Sequence, residues 1–257
     1  MMYNLLRIYK NHLLETYSRE TASTYARRLA ILFEGQSKLD TRHNLNIDKI
    51  LEKLGQIKYK NHFSQSKNAF LHFCEFQNIK LSYSTLESIK TLEKNTKKKR
   101  RKLEPIEYSY IDKKIKYIRN KRLKLSYQVM VAIGFRVSEL ASISPSACTI
   151  NDKSITFSFI NKGGSQETST LLQVDNPKLY DNLKKHIENI PSNKKIFYSA
   201  VYLQNKAKEL GFKCHDLRRA FAKLEYKKSK SKVNVMEKLK HSNIKTTNIY
   251  LHSKLKL

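Results

Sequence analysis

Six consecutive cations, Lys97 to Lys102 within "LEKNTKKKRRKLEP", interrupt this chain and limit what it can fold into. Adjacent like charges cannot enter a core, because each ion would lose its hydration with no partner to replace it. The run is therefore a connector, and the apolar residues on either side must build separate cores. Pro105 favours a helix start just beyond it. These signals divide the chain into a first domain over residues 1–92, a basic linker over 93–104 and a second domain over 105–257. As a connector the run has three readings: a solvated spacer, a nuclear localisation signal, or a segment that crosses a phosphate backbone. The last accounts for both its charge and its position.

Composition points to the same kind of partner. With 51 Lys and Arg against 22 Asp and Glu, the formal charge is +29, well beyond the magnitude of roughly 2–8 that keeps a small domain soluble. An excess of that size implies a polyanion, with nucleic acid foremost. Only 12 of the basic residues are arginine. Arginine's planar fork grips a phosphate through two parallel hydrogen bonds where lysine offers a point charge, so Arg136, Arg218 and Arg219 are candidates for geometry rather than bulk charge. Cys74, Cys148 and Cys214 are odd in number and widely spaced, which suggests neither a disulfide framework nor a zinc site. No signal peptide opens the chain, and no apolar run approaches the ~20 residues of a membrane-spanning helix. The expectation is a reduced, cytoplasmic, DNA-associated protein with no membrane partner.

Hydrophobic periodicity predicts helices throughout residues 1–90. The longest are "MYNLLRIYKNHLLETY" and "RETASTYARRLAILFE", the second with Tyr25, Leu29, Leu32 and Phe33 on one face, and shorter segments follow at 47–54 and 63–76. Beyond the linker, "EPIEYSYIDKKIKYIRN" and "LKLSYQVMVAIGFRVSELASI" read as helical. "SITFSFI" and "ETSTLLQV" then carry β-type residues around "NKGGSQ", whose Gly-Gly pair supplies the backbone freedom of a hairpin turn. Helical pattern returns from Pro177 to the end, with breaks near 190–197 and at Gly211. The predicted fold class is mainly α with a small β-sheet (α+β).

Four stretches of the second domain carry reactive or phosphate-seeking residues. "GFRVSEL" sets Glu139 three residues after Arg136, one helical turn away, where its carboxylate can hold the guanidinium. "CHDLRRAF" sets His215 and Arg218 three apart, on one face of a helix. "KHSNIKTTNIYLHS" sets His241 ahead of a helix bearing Tyr250, and "NKGGS" sets Lys162 at the hairpin tip. Taken singly, each has an ordinary explanation: a core-edge tyrosine, a solvated turn lysine, a satisfied helix histidine, and a surface ion pair worth ~0.3–0.5 kcal/mol. Jointly they fall in one order, with two uses of scarce arginine. In that order they resemble the tyrosine recombinase (lambda-integrase-like, Xer-like) family, whose signature is an arginine in G-x-R-x-S-E-L, a hairpin lysine, H-x-L-R, a G-H or G-W, and a terminal tyrosine. "HSNIKTTNIYLH" is similar to the family's H-S-S-x-x-T-T-x-x-Y-x-H at nearly every position. The first domain resembles the family's helical core-binding domain loosely, through "YSRETASTYARRLAILFE".

The resemblance implies a two-domain, C-shaped clamp on double-stranded DNA, made of a core-binding domain and a catalytic domain. It implies action at a specific recombination site as a homotetramer of two DNA-bound dimers, with room for accessory DNA-bending proteins. The catalytic residues would be Arg136, Lys162, His215, Arg218, His241 and Tyr250, with Glu139 behind them. Lys97, Lys98, Lys99, Arg100, Arg101, Lys102 and Arg219 are the expected DNA contacts. The chemistry agrees, because breaking a phosphodiester without metal requires charge neutralisation, a nucleophile and an acid for the leaving oxygen. No carboxylate cluster of the kind that holds Mg²⁺ stands out in the sequence, and the reaction needs no cofactor and no ATP. Arg136 and Arg218 would clamp the non-bridging oxygens, and His241 would add a hydrogen bond. Tyr250, as a phenol of free pKa near ~10, would ionise with help from His215 and the cationic pocket. Lys162 would protonate the departing 5′ oxygen, leaving a 3′-phosphotyrosyl link that a 5′ hydroxyl from another strand can reverse.

Two rival readings share parts of this pattern. A type IB-like topoisomerase would use the same tyrosine chemistry but yield only relaxed topoisomers, and a non-catalytic DNA-binding regulator would keep the fold and tolerate loss of Tyr250. The chain also differs from the family pattern in three places. "NKGG" stands for G-K-G, Lys240 in "LKH" takes the place of a glycine where close backbone packing is expected, and the seven residues "LHSKLKL" follow Tyr250 where many relatives carry a segment that docks on a neighbouring protomer.

Overall fold

The computed structural model describes residues 2–34, 45–97, 106–161 and 164–257. Lys98 to Lys102 and Lys162 lie outside the described residues. The chain divides into two compact units, Met1–Lys102 and Leu103–Leu257.

The first unit is helical: α1 (Met2–Thr16), α2 (Arg19–Phe33), α3 (Ile47–Gly55), α4 (Lys60–Phe76) and α5 (Tyr83–Lys94). Side chains that compete with the backbone set three of the starts. Ser18, Asn46 and Ser82 accept hydrogen bonds from the free N–H groups of Thr21, Lys49 and Thr85 at the first turns of α2, α3 and α5. Tyr9, Leu13, Leu29, Leu32, Phe33, Phe63, Phe70 and Phe73 fill the core, and Tyr25 packs at its edge. The sequence assigns Glu93 and Lys94 to the linker, whereas in the structure they close α5. Lys67 fixes Glu93 through a 2.6 Å ion pair. Lys97, also expected in the linker, bonds by its backbone to Lys58 O (2.9 Å) and Lys60 N (3.1 Å), with its side chain exposed.

The second unit opens with α6 (Tyr108–Lys116), α7 (Lys121–Ile133) and α8 (Val137–Ser142). The sequence reads α7 and α8 as one helical run, and Gly134 breaks it. Its φ of +81° is left-handed, which ends α7 and turns the chain through buried Phe135 into Arg136. A Cβ at Gly134 would lie 2.4 Å from the Phe221 ring, so nothing larger than glycine fits. Strands β1 (Cys148–Asn151), β2 (Ser154–Ile160) and β3 (Gln166–Leu172) form an antiparallel sheet in the order β1-β2-β3. The β2–β3 hairpin is the one expected, closing at Ile160 opposite Gln166. The third strand, β1, was not foreseen: its four residues are too short for a period-2 signal, and the Asn151 side chain makes its turn by accepting from Lys153 N and Ser154 N. Ile155, Phe157 and Phe159 bury one face of β2, and Phe135 meets Phe157 and Phe159 edge-on.

Five helices complete the unit: α9 (Pro177–Glu188), α10 (Ala200–Glu209), α11 (Cys214–Ser229), α12 (Lys232–Lys238) and α13 (Ile244–Leu251). Helix α11 is the hub. It packs on α7 with Leu217 and Ala220 in the main core, and on α12 and α13 with Phe221 and Ala222 in a smaller cluster that contains Val235, Leu239 and Tyr250. After α13, Leu255 is buried in the main core, and the backbone of Lys256 bonds to Ile106 O (2.9 Å) and Tyr108 N (2.8 Å). The segment after Tyr250 therefore docks on its own unit. Among the described residues, no helix is long and apolar enough to cross a membrane.

Candidate active site

The site is built where α8, α11, the α12–α13 turn and α13 meet. Arg136 is the N-cap of α8. Its backbone N–H donates to Glu139 Oε2 (2.8 Å) and its Nη1 donates to Glu139 Oε1 (2.6 Å), so one carboxylate holds both ends of the residue. This is the pairing expected from the three-residue spacing. The sequence did not reveal that Glu139, 4% exposed, also faces Arg218, whose Nη1 lies 3.7 Å from Oε2. Two guanidiniums thus share one carboxylate, and the pocket keeps a positive excess.

Arg218 is 2% exposed in the second turn of α11. Its Nη1 donates to the carbonyl of Gly134 and its Nη2 to the carbonyl of Leu239. These anchors hold the fork rigidly between the α7–α8 corner and the end of α12. Burial, then the charge of Arg136, push the guanidinium down from its ordinary value, while Glu139 and the hydrogen-bonding hydroxyl of Tyr250 oppose the shift. The Nε of Arg218 is buried with no hydrogen-bond partner. A buried donor left unpaired costs roughly 1–3 kcal/mol, which an arriving acceptor recovers.

Tyr250, 6% exposed on α13, stands between two imidazoles. The His215 ring meets it edge-on at 5.0 Å and the His241 ring at 4.9 Å, centroid to centroid. His215 follows Cys214 at the start of α11, one turn before Arg218. Burial, followed by the Arg219 and Arg218 charges, pushes its pKa down to about 4. The residue as a whole is exposed. His241 is buried, and burial with Arg218, Arg136 and His215 also lowers it to about 4. Both rings are therefore neutral at physiological pH. His241 Nδ1 lies 3.0 Å from the hydroxyl of buried Thr247, and its Nε2 is buried without a partner.

The turn that delivers His241 depends on Lys240. Lys240 N bonds to Glu237 O and His241 N to Met236 O, both at 3.0 Å, and Lys240 adopts φ +51°. This is the helix-ending motif that usually takes glycine at its left-handed position. At the position where the sequence departs from glycine, the backbone is thus left-handed and carried by a lysine. The Lys240 amine reaches Glu167 on β3 at 3.6 Å. Arg219 does not share the Arg218 pocket directly. Its Nη1 pairs with Asp216 at 2.8 Å, Asp216 in turn accepts from Lys213 N at 3.0 Å, and the Arg219 charge lies beside His215. Sequence reasoning missed Thr247, Asp216 and the Lys240–Glu167 pair. Two local signals were present: the Lys213–Asp216 spacing at the start of α11, a carboxylate reaching back to the N-cap N–H, and the T-T pair of "HSNIKTTNIYLH", whose second threonine is Thr247. Among the described residues, no group of three or more His, Cys, Asp or Glu forms a metal site.

Residues 101–256 match the phage integrase family. A stretch of 165 residues is 27% identical to tyrosine recombinase XerA of Saccharolobus solfataricus, covering 61% of this chain and 54% of that protein, so the match spans about half the length of the relative. The XerH site-specific recombinase in a pre-cleavage complex with difH substrate superposes with a TM-score of 0.67 at 18% identity, over 98% of this chain and 81% of that one. A lambda integrase dimer bound to a COC′ core site gives 0.63 at 18% identity over 97% and 94%, and a lambda integrase tetramer bound to a Holliday junction gives 0.66 at 14% over 98% and 77%. At these identities the solved structures speak to fold, and the fold they share is the helical one with a small antiparallel sheet described above. The family match covers more than half of the chain and contains every residue of the site, and on that ground the chain belongs to the phage integrase family of tyrosine recombinases.

Proposed function

We propose that this chain is a site-specific DNA recombinase that cleaves and rejoins DNA through a 3′-phosphotyrosyl intermediate. The observation that carries the reading is the pair of buried, unpartnered nitrogens, Arg218 Nε and His241 Nε2, beside the Tyr250 ring in a pocket with two guanidiniums and one carboxylate. Such a pocket lacks an anion with several acceptor oxygens, and a phosphodiester fits that description. In this reading Arg136 and Arg218 neutralise the non-bridging oxygens, and His241 Nε2 donates to one of them. Tyr250 Oη attacks phosphorus and passes its proton to neutral His215, while the Arg218 charge favours the phenolate. The bond from phosphorus to the 5′ oxygen breaks as the bond to Tyr250 forms, and Lys162 gives the departing oxygen its proton. No net bond energy is lost, so a second strand's 5′ hydroxyl can reverse the step.

At the level of the whole protein the reading extends to a two-domain clamp, with a core-binding domain that runs to the end of α5 at Lys94, a basic linker after it and residues 105–257 as catalytic domain. It includes assembly as a tetramer on DNA, supported by the lambda integrase tetramer on a Holliday junction. The net charge of +29 supports a backbone-wide phosphate contact. The test is product analysis with two copies of a target site on separate duplexes. Reciprocal recombinants are the expected product, and supercoil relaxation without recombinants would replace the recombinase by a topoisomerase.

A further inference from the structure

We infer that Thr247 is a positioning residue that decides which nitrogen of His241 carries the proton, so that the N–H of Nε2 faces the phosphate pocket. The inference rests on the reading of His241 as a phosphate contact, and it deepens it. Thr247 sits on α13 three residues before Tyr250 and is 0% exposed. Among the described residues its hydroxyl has one hydrogen-bond partner, His241 Nδ1 at 3.0 Å. A buried hydroxyl has to place its proton on an acceptor, since a buried polar hydrogen left unpaired is rarely tolerated. Nδ1 is that acceptor. A neutral imidazole that accepts at Nδ1 carries its proton at Nε2.

The reverse arrangement fails twice. With the proton on Nδ1, the Thr247 hydroxyl would receive a hydrogen bond and its own proton would have nowhere to go. The bare lone pair of Nε2 would then face the phosphate oxygens, turning a donor into a repulsive contact. The ring cannot escape the choice by binding a second proton, because burial and the Arg218 and Arg136 charges keep it neutral. Nor is the arrangement left to chance on the helix. Thr247 and Tyr250 lie one turn apart on α13 and are both buried against the site, so the docking that brings the nucleophile to the phosphate also fixes the donor opposite it.

Histidine-selective ¹⁵N labelling with long-range proton–nitrogen correlation reads the tautomer without reference to activity, and loss of signals in His241→Gln assigns the ring. The parent and Thr247→Ser should show His241 protonated at Nε2. Thr247→Val, which keeps shape and removes the hydroxyl, should shift the ring toward the Nδ1 form. On nicked duplexes that the parent cleaves, Thr247→Val should lose about 100- to 1,000-fold in cleavage with unchanged binding, the order expected for one lost donor, and Thr247→Ser should restore it. An Nδ1-protonated ring in the parent overturns the inference even if Thr247→Val does not fold, as does an unaltered tautomer with full cleavage in Thr247→Val. If the tautomer follows Thr247 but the parent forms no covalent adduct on any duplex, the recombinase reading fails and the assignment of Thr247 stands.

Discussion

At the scale of single residues, the pocket is organised by one carboxylate and two backbone carbonyls. Glu139 aligns Arg136 and leans on Arg218, while Gly134 and Leu239 fix the Arg218 fork. Lysine's ammonium is a compact point charge without the planar fork that meets both carbonyls and still keeps Nε–H for an acceptor. Arg218→Lys should therefore lose cleavage by about 100-fold or more at unchanged net charge and lose roughly 1–3 kcal/mol of stability. Near-parental activity in a covalent-adduct assay would mean that only bulk charge matters there. The two histidines make a separate prediction about pH. Each has a folded value of about 4, below the ~6.5 of a free imidazole. Between those values the unfolded chain binds more protons, so stability is fully present above about 6.5 and falls as pH drops toward 4. Urea melts across that window should show a shallower decline for His241→Gln than for the parent, because the buried one of the two rings no longer resists protonation. Parallel declines would show that His241 is not held neutral by the fold.

At the scale of elements, the corners matter more than the helices they join. Gly134 ends α7, offers its carbonyl to Arg218 and touches Phe221, three duties that leave no room for a Cβ. Gly134→Ala should cost about 2 kcal/mol or more through left-handed strain and the clash, and should reduce cleavage by displacing Arg218. Lys240 is the opposite case. At φ +51° it bears left-handed strain that glycine would relieve, while its pair with Glu167 is half-exposed and long. Lys240→Gly should thus raise stability by about 0.5–1 kcal/mol, whereas Lys240→Ala should not. Equal thermal midpoints for the two variants would remove backbone strain from the account. The same corners explain what could be read in the sequence. The β2–β3 hairpin was legible from two runs of β-type residues around Gly-Gly, and α2 from its apolar face. The α7–α8 corner was not, because "AIGFRV" carries apolar residues on both sides of the break. Strand β1 was too short to declare a period. Arg136, Glu139, His215, Arg218, His241 and Tyr250 stood out through their order and spacing, and the structure brings all six to one pocket. Thr247 falls in the T-T pair of "HSNIKTTNIYLH", but its role did not stand out, since its contact to His241 depends on how the chain turns at Lys240.

At the scale of the whole molecule, the charge distribution and the chemistry are separable. The run from Lys97 to Lys102 is far in sequence from the pocket residues, so it should govern affinity and leave the cleavage step unaffected. Replacing those six residues with glutamine should weaken binding to all duplexes alike and reduce the slope of log affinity against log salt by roughly 0.9 per lost phosphate contact. An unchanged slope would return the run to a solvated spacer. Tyr250 as nucleophile is tested most directly by a covalent protein–DNA adduct on a denaturing gel, using nicked duplexes that trap the cleaved strand. The parent should give an adduct that maps to the peptide containing Tyr250, while Tyr250→Phe, one oxygen smaller in an otherwise intact pocket, should bind the same duplexes with parental affinity and give none. An adduct that survives in Tyr250→Phe would contradict the assignment of the nucleophile.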